Sequence, residues 1–392
     1  MPFGLKAICW VSFLWSLSTL MVYTTLSLYQ EQQLHFSKMS LGSLQAYSTL
    51  AMHLTNILSG VFVDFFKNHK ALLITGSLLS GLTKPLLGYT TSFMGSFYLR
   101  AFERITKGMR AVPTDAYISA IQKQKTVGFG FAWKQIAWGT GASLGCILSS
   151  LFLWQCGPNF KLLYILAALP TFLATIIIIF AIKLPKDLVI KKVQLSWKFI
   201  HHIPHQLWKI FGLVFLVSLA RFGELYMGHR FHELGMPLHF IPLIYILYDL
   251  PVALASAWMR RMYDNKPWLK LLMIGTFFLL IATTCFFFCQ NTIGLLIGVV
   301  ATGLHIAVTN GLFATLIARH APIEIRGTAY GLYHLVMGLG LFISNHLTSY
   351  VSHMFDTWCA GFGLNAIFAV LVLVVCGCWH CLLKKDFSRK RQ

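Results

Sequence analysis

The feature that most limits what this chain can fold into is its succession of long apolar runs. Twelve of them follow one another, at residues 5–29, 41–63, 70–90, 94–116, 127–153, 160–183, 209–229, 238–259, 267–289, 293–318, 328–350 and 359–382. A helix needs about 20 predominantly apolar residues to cross the hydrocarbon of a bilayer. The runs are continuously apolar and do not alternate as barrel strands do, so each is expected to be a helix that satisfies its own backbone. The wider composition agrees: 57% of the 392 residues are hydrophobic and only 11% are charged. Soluble domains carry roughly a quarter charged residues. An ordinary water-soluble enzyme and a disordered chain are both excluded, and an all-α membrane protein of twelve transmembrane helices is expected.

The charges that remain give the orientation. The chain has 32 Lys and Arg against 12 Asp and Glu, a formal net charge of +20. With the N-terminus placed in the cytoplasm, twenty-two of the basic residues fall on the cytoplasmic side and three on the other, Lys38, Lys161 and Arg230, while seven lie inside spans. This is a positive-inside pattern, with both termini cytoplasmic. Most of the excess charge thereby becomes topology and attraction to anionic lipid, and a nucleic-acid partner loses its support. Connections are short except for residues 184–208, which are basic and include His201, His202 and His205. The expected organisation is a six-helix bundle over 1–183, a basic cytoplasmic linker over 184–208, a second six-helix bundle over 209–383 and a basic cytoplasmic tail over 384–392.

The first span is too long for the apolar core of a signal peptide and is expected to remain as an uncleaved helix. Nine cysteines, almost all within spans, do not form a disulfide framework. Cys376, Cys378, His380 and Cys381 have the residue types of a metal site, but helical spacing turns Cys378 away from the face that Cys376 and His380 share. No metal and no cofactor is expected. The three linker histidines, flanked by Trp197, Phe199 and Trp208, read as part of an amphipathic interfacial segment.

Ionisable residues inside spans are costly, at about 2.5–3.5 kcal/mol each on insertion scales, so each needs a reason. The fourth span concentrates them in "LRAFERITKGMRAVPTDAYI": Arg100, Glu103, Arg104, Lys107 and Arg110 recur at spacings of three and four and share one helical stripe. That stripe must line a water-filled cavity or pair with other helices, and Glu103 can pair locally with Arg100 or Lys107. In the seventh span, Arg221 and Glu224 are three apart and close enough to pair on one face, with Tyr226 nearby. Asp249, beside Tyr245 and Tyr248 and just before Pro251, has the depth of a proton-titrating group or of a partner to Arg221 or a fourth-span cation. His53, His305 and His334 read as hydrogen-bonded packing residues. Seven embedded cations against Glu103, Asp115, Glu224 and Asp249 leave the membrane interior net positive, which favours an anionic substrate. Glycines 128, 130, 139, 141 and 145 in the fifth span, and 327, 331, 338 and 340 in the eleventh, allow close helix crossings.

Six spans, a basic linker and six more spans resemble the major facilitator superfamily, and short motifs add to the resemblance. "GVFVDFFKNHK" is similar to that family's loop between spans two and three, with Gly60, Asp64 and Lys70 at matching places; Phe65, Lys67 and Asn68 depart from it. Arg104, Lys107 and Gly108 resemble its membrane-embedded arginine motif, and Thr114 stands where a basic residue is usual. "APIEIRGTAYG", holding Arg326 and Gly327, resembles the loop and helix start between spans ten and eleven. In the fifth span Cys146 occupies the position of the proline in the family's antiporter motif.

The resemblance implies two six-helix bundles with a substrate site at their interface and alternating access. It implies a conformational latch of Gly60, Asp64, Lys70, Gly108, Arg110, Arg326 and Gly327, with Asp64 plausibly partnered by Arg110. It also makes Arg104 the arginine tied to transport or proton coupling. The functional expectation is a secondary transporter of a small, anionic organic solute in a bacterial-type cytoplasmic membrane, driven by protons and acting as a monomer. The substrate and proton-coupling candidates are Arg100, Glu103, Arg104, Lys107, Arg221, Glu224, Tyr245 and Asp249. No phosphate-cradling glycine loop accompanies a lysine, so ATP-driven transport is not expected. An efflux pump for drugs or metabolites and a non-transporting sensor of the same fold are the alternatives. No nucleophile–base pair marks an enzyme.

Overall fold

The computed structural model describes residues 2–66, 69–121, 127–182, 204–265, 267–321 and 326–389. The described residues are helical almost throughout. In chain order the helices are α1 (Phe3–Gln32), α2 (Lys38–Phe66), α3 (His69–Tyr89), α4 (Phe93–Ile121), α5 (Val127–Cys156), α6 (Phe160–Ala181), α7 (His205–Ala220), α8 (Leu225–Glu233), α9 (Ile241–Asn265), α10 (Trp268–Phe288), α11 (Thr292–His320), α12 (Arg326–Met354) and α13 (Trp358–Arg389). Nine described segments are long and apolar enough to cross a membrane; α2, α4 and α12 fall outside that set. In α4 the reason is its stripe of ionisable residues. His205 opens α7, whereas His201 and His202 lie outside the described residues.

Eleven of the twelve expected spans are single helices. The seventh is not: it breaks at Arg221–Gly223, and α7 and α8 are its two pieces. Arg221 is already extended, at φ −74° and ψ 159°. An interrupted helix in hydrocarbon leaves carbonyls that water does not reach, so they must be met from within the protein. The Arg221 carbonyl accepts from Ser344 Oγ of α12 and from Asn365 Nδ2 of α13, the latter at 3.1 Å. The Phe222 ring packs edge-on against Phe286 and Phe362, with centroids 5.7 and 4.9 Å away. Arg221 and Glu224, expected three apart on one helical face, flank the break, with Arg221 hydrogen-bonded to α11 and Glu224 to Tyr248.

The chain divides into two compact units, residues 1–196 with 235–246, and residues 197–234 with 247–392. In the first unit α1 is central, packing against α5 and α6, while α3 packs on α4 and α6, and α2 on α4. The α1 helix is buried on every side from Ser16 to Gln30, and hydroxyls of Ser18, Thr24 and Thr25 donate to backbone carbonyls within the unit. Gly141 and Gly145 of α5 face the backbone of α1: a Cβ at either position would collide with the carbonyl of Phe13 or Leu17. That close crossing is where the small-residue spacing of the fifth span is used. In the second unit α10 packs on α11 and α13, and α12 on α7 and α13. Gly340 of α12 plays the corresponding part against Phe215 and Ser218 of α7.

Candidate functional site

In the first unit the α4 stripe is buried and its cations rest on aromatic rings. Arg100 and Glu103 are each 3% exposed and Arg104 is 7% exposed. Arg100 Nη1 donates to Glu103 Oε2 at 2.7 Å, and Arg104 Nε lies 4.0 Å from the same oxygen. Both guanidiniums also sit over the ring of Tyr23 on α1, with Cζ 5.0 and 4.9 Å from its centroid. One carboxylate and one aromatic face thereby hold two buried cations together. Tyr245, at the start of α9, is buried and meets Tyr23 edge-on at 6.3 Å. Lys107 reaches Trp138 of α5, its Nζ 5.5 Å from the ring centroid. Gly108 faces Thr55 of α2 so closely that a Cβ would displace it.

Arg110 closes the stripe. Its guanidinium lies 4.6 Å over Trp15, Nη2 donates to Ser80 Oγ at 3.2 Å and Nε to the Thr106 carbonyl at 3.3 Å. Trp15 Nε1 in turn donates to Ser77 Oγ at 2.9 Å. Arg110 is thus built into the α1–α3–α4 packing, where a latch role would require it to exchange partners. Lys70 donates to the Ile179 carbonyl at 2.6 Å, supplying a cation to the C-terminal turn of α6. The side chain of Asp64 and the residues Gly60, Arg326 and Gly327 fall where burial and contacts are not described.

Lys84 is a further buried cation that sequence reasoning counted but did not single out. Only 1% of it is exposed, and its ammonium donates to Ser18 Oγ of α1 and to Thr171 Oγ1 of α6, the latter at 2.8 Å. The sequence signal was a lysine directly before a proline, Pro85, inside an apolar span.

The second unit gathers its polar residues at the break between α7 and α8. Arg221 Nε donates to His305 Nε2 at 2.9 Å, and Nη2 donates to Thr309 Oγ1 at 2.6 Å and Asn310 Oδ1 at 3.0 Å, all on α11. Among the described residues these hydrogen-bond acceptors are all neutral. Glu224, at the start of α8, accepts from Tyr248 Oη at 2.7 Å. Asp249, beside Tyr248 on α9, is half-buried. His305, read from sequence as packing, proves to be in direct contact with the buried arginine. Its signal was thin: one histidine in mid-span, 84 residues from its partner.

The far end of α8 is held just as firmly. Arg230, expected on the outer side, is buried and donates to the carbonyls of Phe286 and Cys289 at 3.1 and 3.2 Å, meeting the open C-terminus of α10. Its Nη1 also pairs with Glu233 at 3.0 Å, and Glu233 accepts the Trp358 amide of α13 at 2.7 Å. A cation thus meets a helix C-terminus and an anion a helix N-terminus, each the favoured sign. The Trp358 ring stacks on Tyr226 and His229, at 4.9 and 4.7 Å. Cys376 is buried and Cys378 exposed, so the two point to different faces of α13; among the described residues no group of three metal-ligating side chains converges.

The family model described as Major Facilitator Superfamily matches residues 8–259 and again 214–391. An uncharacterized MFS-type transporter of Methanocaldococcus jannaschii is 27% identical over 309 residues, 77% of this chain and 76% of that protein. Among solved structures, the nucleoside transporter NupG superposes with a TM-score of 0.80 at 15% identity, covering 98% of this chain and 100% of that one. A D-xylose–proton symporter gives a TM-score of 0.70 at 15% identity, covering 95% and 96% of the two chains. A POT family transporter in complex with a thioalcohol-conjugated peptide gives 0.77 at 13% identity, covering 100% and 97%. These structural likenesses speak to the fold.

Proposed function

The chain belongs to the major facilitator superfamily and is a multi-pass membrane transporter, and from that premise we propose that it carries a small anionic organic solute by alternating access, coupled to protons. The observation that carries the reading is the α4 cluster, in which the one carboxylate of Glu103 offsets only part of the charge on Arg100, Arg104 and Lys107. Surplus positive charge inside a membrane protein is costly, and an anionic ligand repays that cost only while it is bound. The tyrosine that carries both guanidiniums supplies an apolar face, which suits an organic anion over a bare ion. Glu103, Glu224 and Asp249 are the carboxylates available for proton coupling.

In this reading the helices of 1–183 and 209–383 form the two bundles that rock about a central site, with Asp64, Lys70, Arg110 and Arg326 among the groups that exchange partners on the cytoplasmic side. In the same reading the protein is a monomer in a cytoplasmic membrane, and the distribution of its basic residues supports both termini lying inside. Transport chemistry needs no cofactor and no bond is broken, so the chain is not an enzyme.

The test is proton flux in proteoliposomes holding the purified full chain, challenged with small carboxylates, organic phosphates, neutral sugars and nucleosides, and organic cations. The expected result is flux that depends on the anions and is lost in Arg104→Ala and Asp249→Asn with normal insertion. Movement of neutral or cationic solutes alone would overturn the anionic reading. Unchanged flux in both variants would remove the assigned residues.

A further inference from the structure

The break between α7 and α8 holds an arrangement in which a proton and a guanidinium compete for one lone pair. The guanidinium Nε of Arg221 bears a hydrogen and no available lone pair, so it can only donate. At 2.9 Å, His305 Nε2 must therefore be the acceptor. The other ring nitrogen, Nδ1, lies 2.8 Å from the Gly275 carbonyl of α10, which can only accept. Nδ1 therefore carries the hydrogen. The two bonds together define the imidazole as neutral, with its tautomer set by geometry.

We propose that His305 is a proton-binding site whose occupation expels Arg221 from α11. An incoming proton finds only the Nε2 lone pair. Once it is there, two N–H groups and two positive charges face each other where one hydrogen bond stood. The bond to Gly275 needs no change, because Nδ1 donates in both states. The Gly275 bond therefore holds the imidazole in both states, and the repulsion falls on the contact with Arg221. Arg221 is tied to its surroundings by its side chain to His305, Thr309 and Asn310 of α11 and to Met337 Sδ of α12, and by its carbonyl to α12 and α13. Protonation removes the His305 bond and sets like charges against the remaining side-chain bonds, while the carbonyl tether is untouched, loosening the point where the seventh span is already unwound. Asn310, next to the guanidinium tip, is exposed, which gives the released charge a direction to turn.

The neighbouring titratable and charged groups are these. From the break come Arg221 itself and, three residues on, Glu224, whose carboxylate is engaged by Tyr248 of α9. From α12 come Tyr333, within electrostatic range of Arg221, and His334 beside it. From α10 the group that meets the imidazole is the Gly275 carbonyl. The competition is a property of this site alone; only its use as the coupling step of transport rests on the function proposed above.

Hydrogen–deuterium exchange of the full chain in detergent or nanodiscs, followed between pH 8 and pH 5, tests the proposal without a substrate. His305→Gln keeps an acceptor toward Arg221 and a donor toward Gly275 but cannot titrate. Dividing wild-type by H305Q exchange at each pH cancels the intrinsic pH dependence of the amides. Over residues 220–228 this ratio is expected to rise by about tenfold as the pH falls, equivalent to about 1.4 kcal/mol. Glu224→Gln should retain the step, which separates His305 from the nearby carboxylate. Asn310→Asp should suppress it, by holding Arg221 on α11 through a carboxylate, and it serves where H305Q does not fold. A wild-type ratio to either variant that is flat with pH, or a step that vanishes in E224Q, would overturn the proposal. Proton-coupled flux could fail for any solute while this step remains, so the two readings fail separately.

Discussion

At one site in each unit, buried arginines are kept by opposite means. In the first, Arg100 and Arg104 share one carboxylate, Glu103, and one aromatic face, Tyr23, along an unbroken helix. In the second, Arg221 stands where a helix is interrupted and is held by an imidazole, a hydroxyl and an amide. A carboxylate compensates charge directly, and its loss leaves cations stranded. Neutral acceptors compensate only by hydrogen bonding, and an imidazole among them adds a group that a proton can remove. In the readings proposed above, the first arrangement is a charge cluster that a ligand joins and the second a contact that a proton breaks.

The sharpest way to break this contrast is Glu103→Gln. Removing one partner of a buried ion pair leaves charge uncompensated and costs about 3–5 kcal/mol, so thermal unfolding of the purified variant should move well below wild type. An unchanged midpoint would mean that water or lipid headgroups, and not Glu103, balance the α4 cations. Arg221→Met should cost less, about 1–3 kcal/mol, because it leaves neutral acceptors unpaired and removes the burial cost of a charge. If R221M destabilises as much as E103Q, the distinction between the two units is wrong. Tyr23→Leu preserves much of the bulk while removing the ring under two guanidiniums; about 2 kcal/mol is expected for desolvated cation–π contacts. Combining Y23L with E103Q in a double-mutant cycle should show coupling, since both act on the same arginines.

The smallest effect is also the control. Asn159 opens α6 by accepting the Leu162 amide, and Asn291 opens α11 by accepting the Gly294 amide. Asn159→Ala and Asn291→Ala should each cost about 1 kcal/mol, read in the same unfolding assay. A clear inequality between these caps would show that the units differ in overall stability and not only in how they hold charge.

Most of the helical map was legible in the sequence, because a membrane span is decided by twenty consecutive side chains. The α4 stripe was legible for a similar reason: charges at spacings of three and four declare a shared face without reference to any other helix. The break in the seventh span was missed because its residues, Arg221–Phe222–Gly223, sit between two stretches that are apolar when averaged together. The polar character of "LYMGHRFHE", residues 225–233, was the available sign that a second, shorter helix follows. That Arg230 is buried against the end of α10 was not legible, because its partners lie more than fifty residues away. Lys84 was visible as a charge in a span, but nothing nearby in sequence points to its partners Ser18 and Thr171, on α1 and α6.

By itself, then, the sequence determined that this chain is a bundle of membrane-crossing helices and where its embedded charges cluster. Those properties depend on local composition and on helical periodicity, which are written residue by residue. Only the tertiary structure decided that two arginines share Tyr23, that Arg221 bonds His305, and that the unwound carbonyl of Arg221 is met from α12 and α13. Those contacts join residues tens to more than a hundred positions apart, and they exist because groups that water cannot reach must find partners wherever the packing brings them.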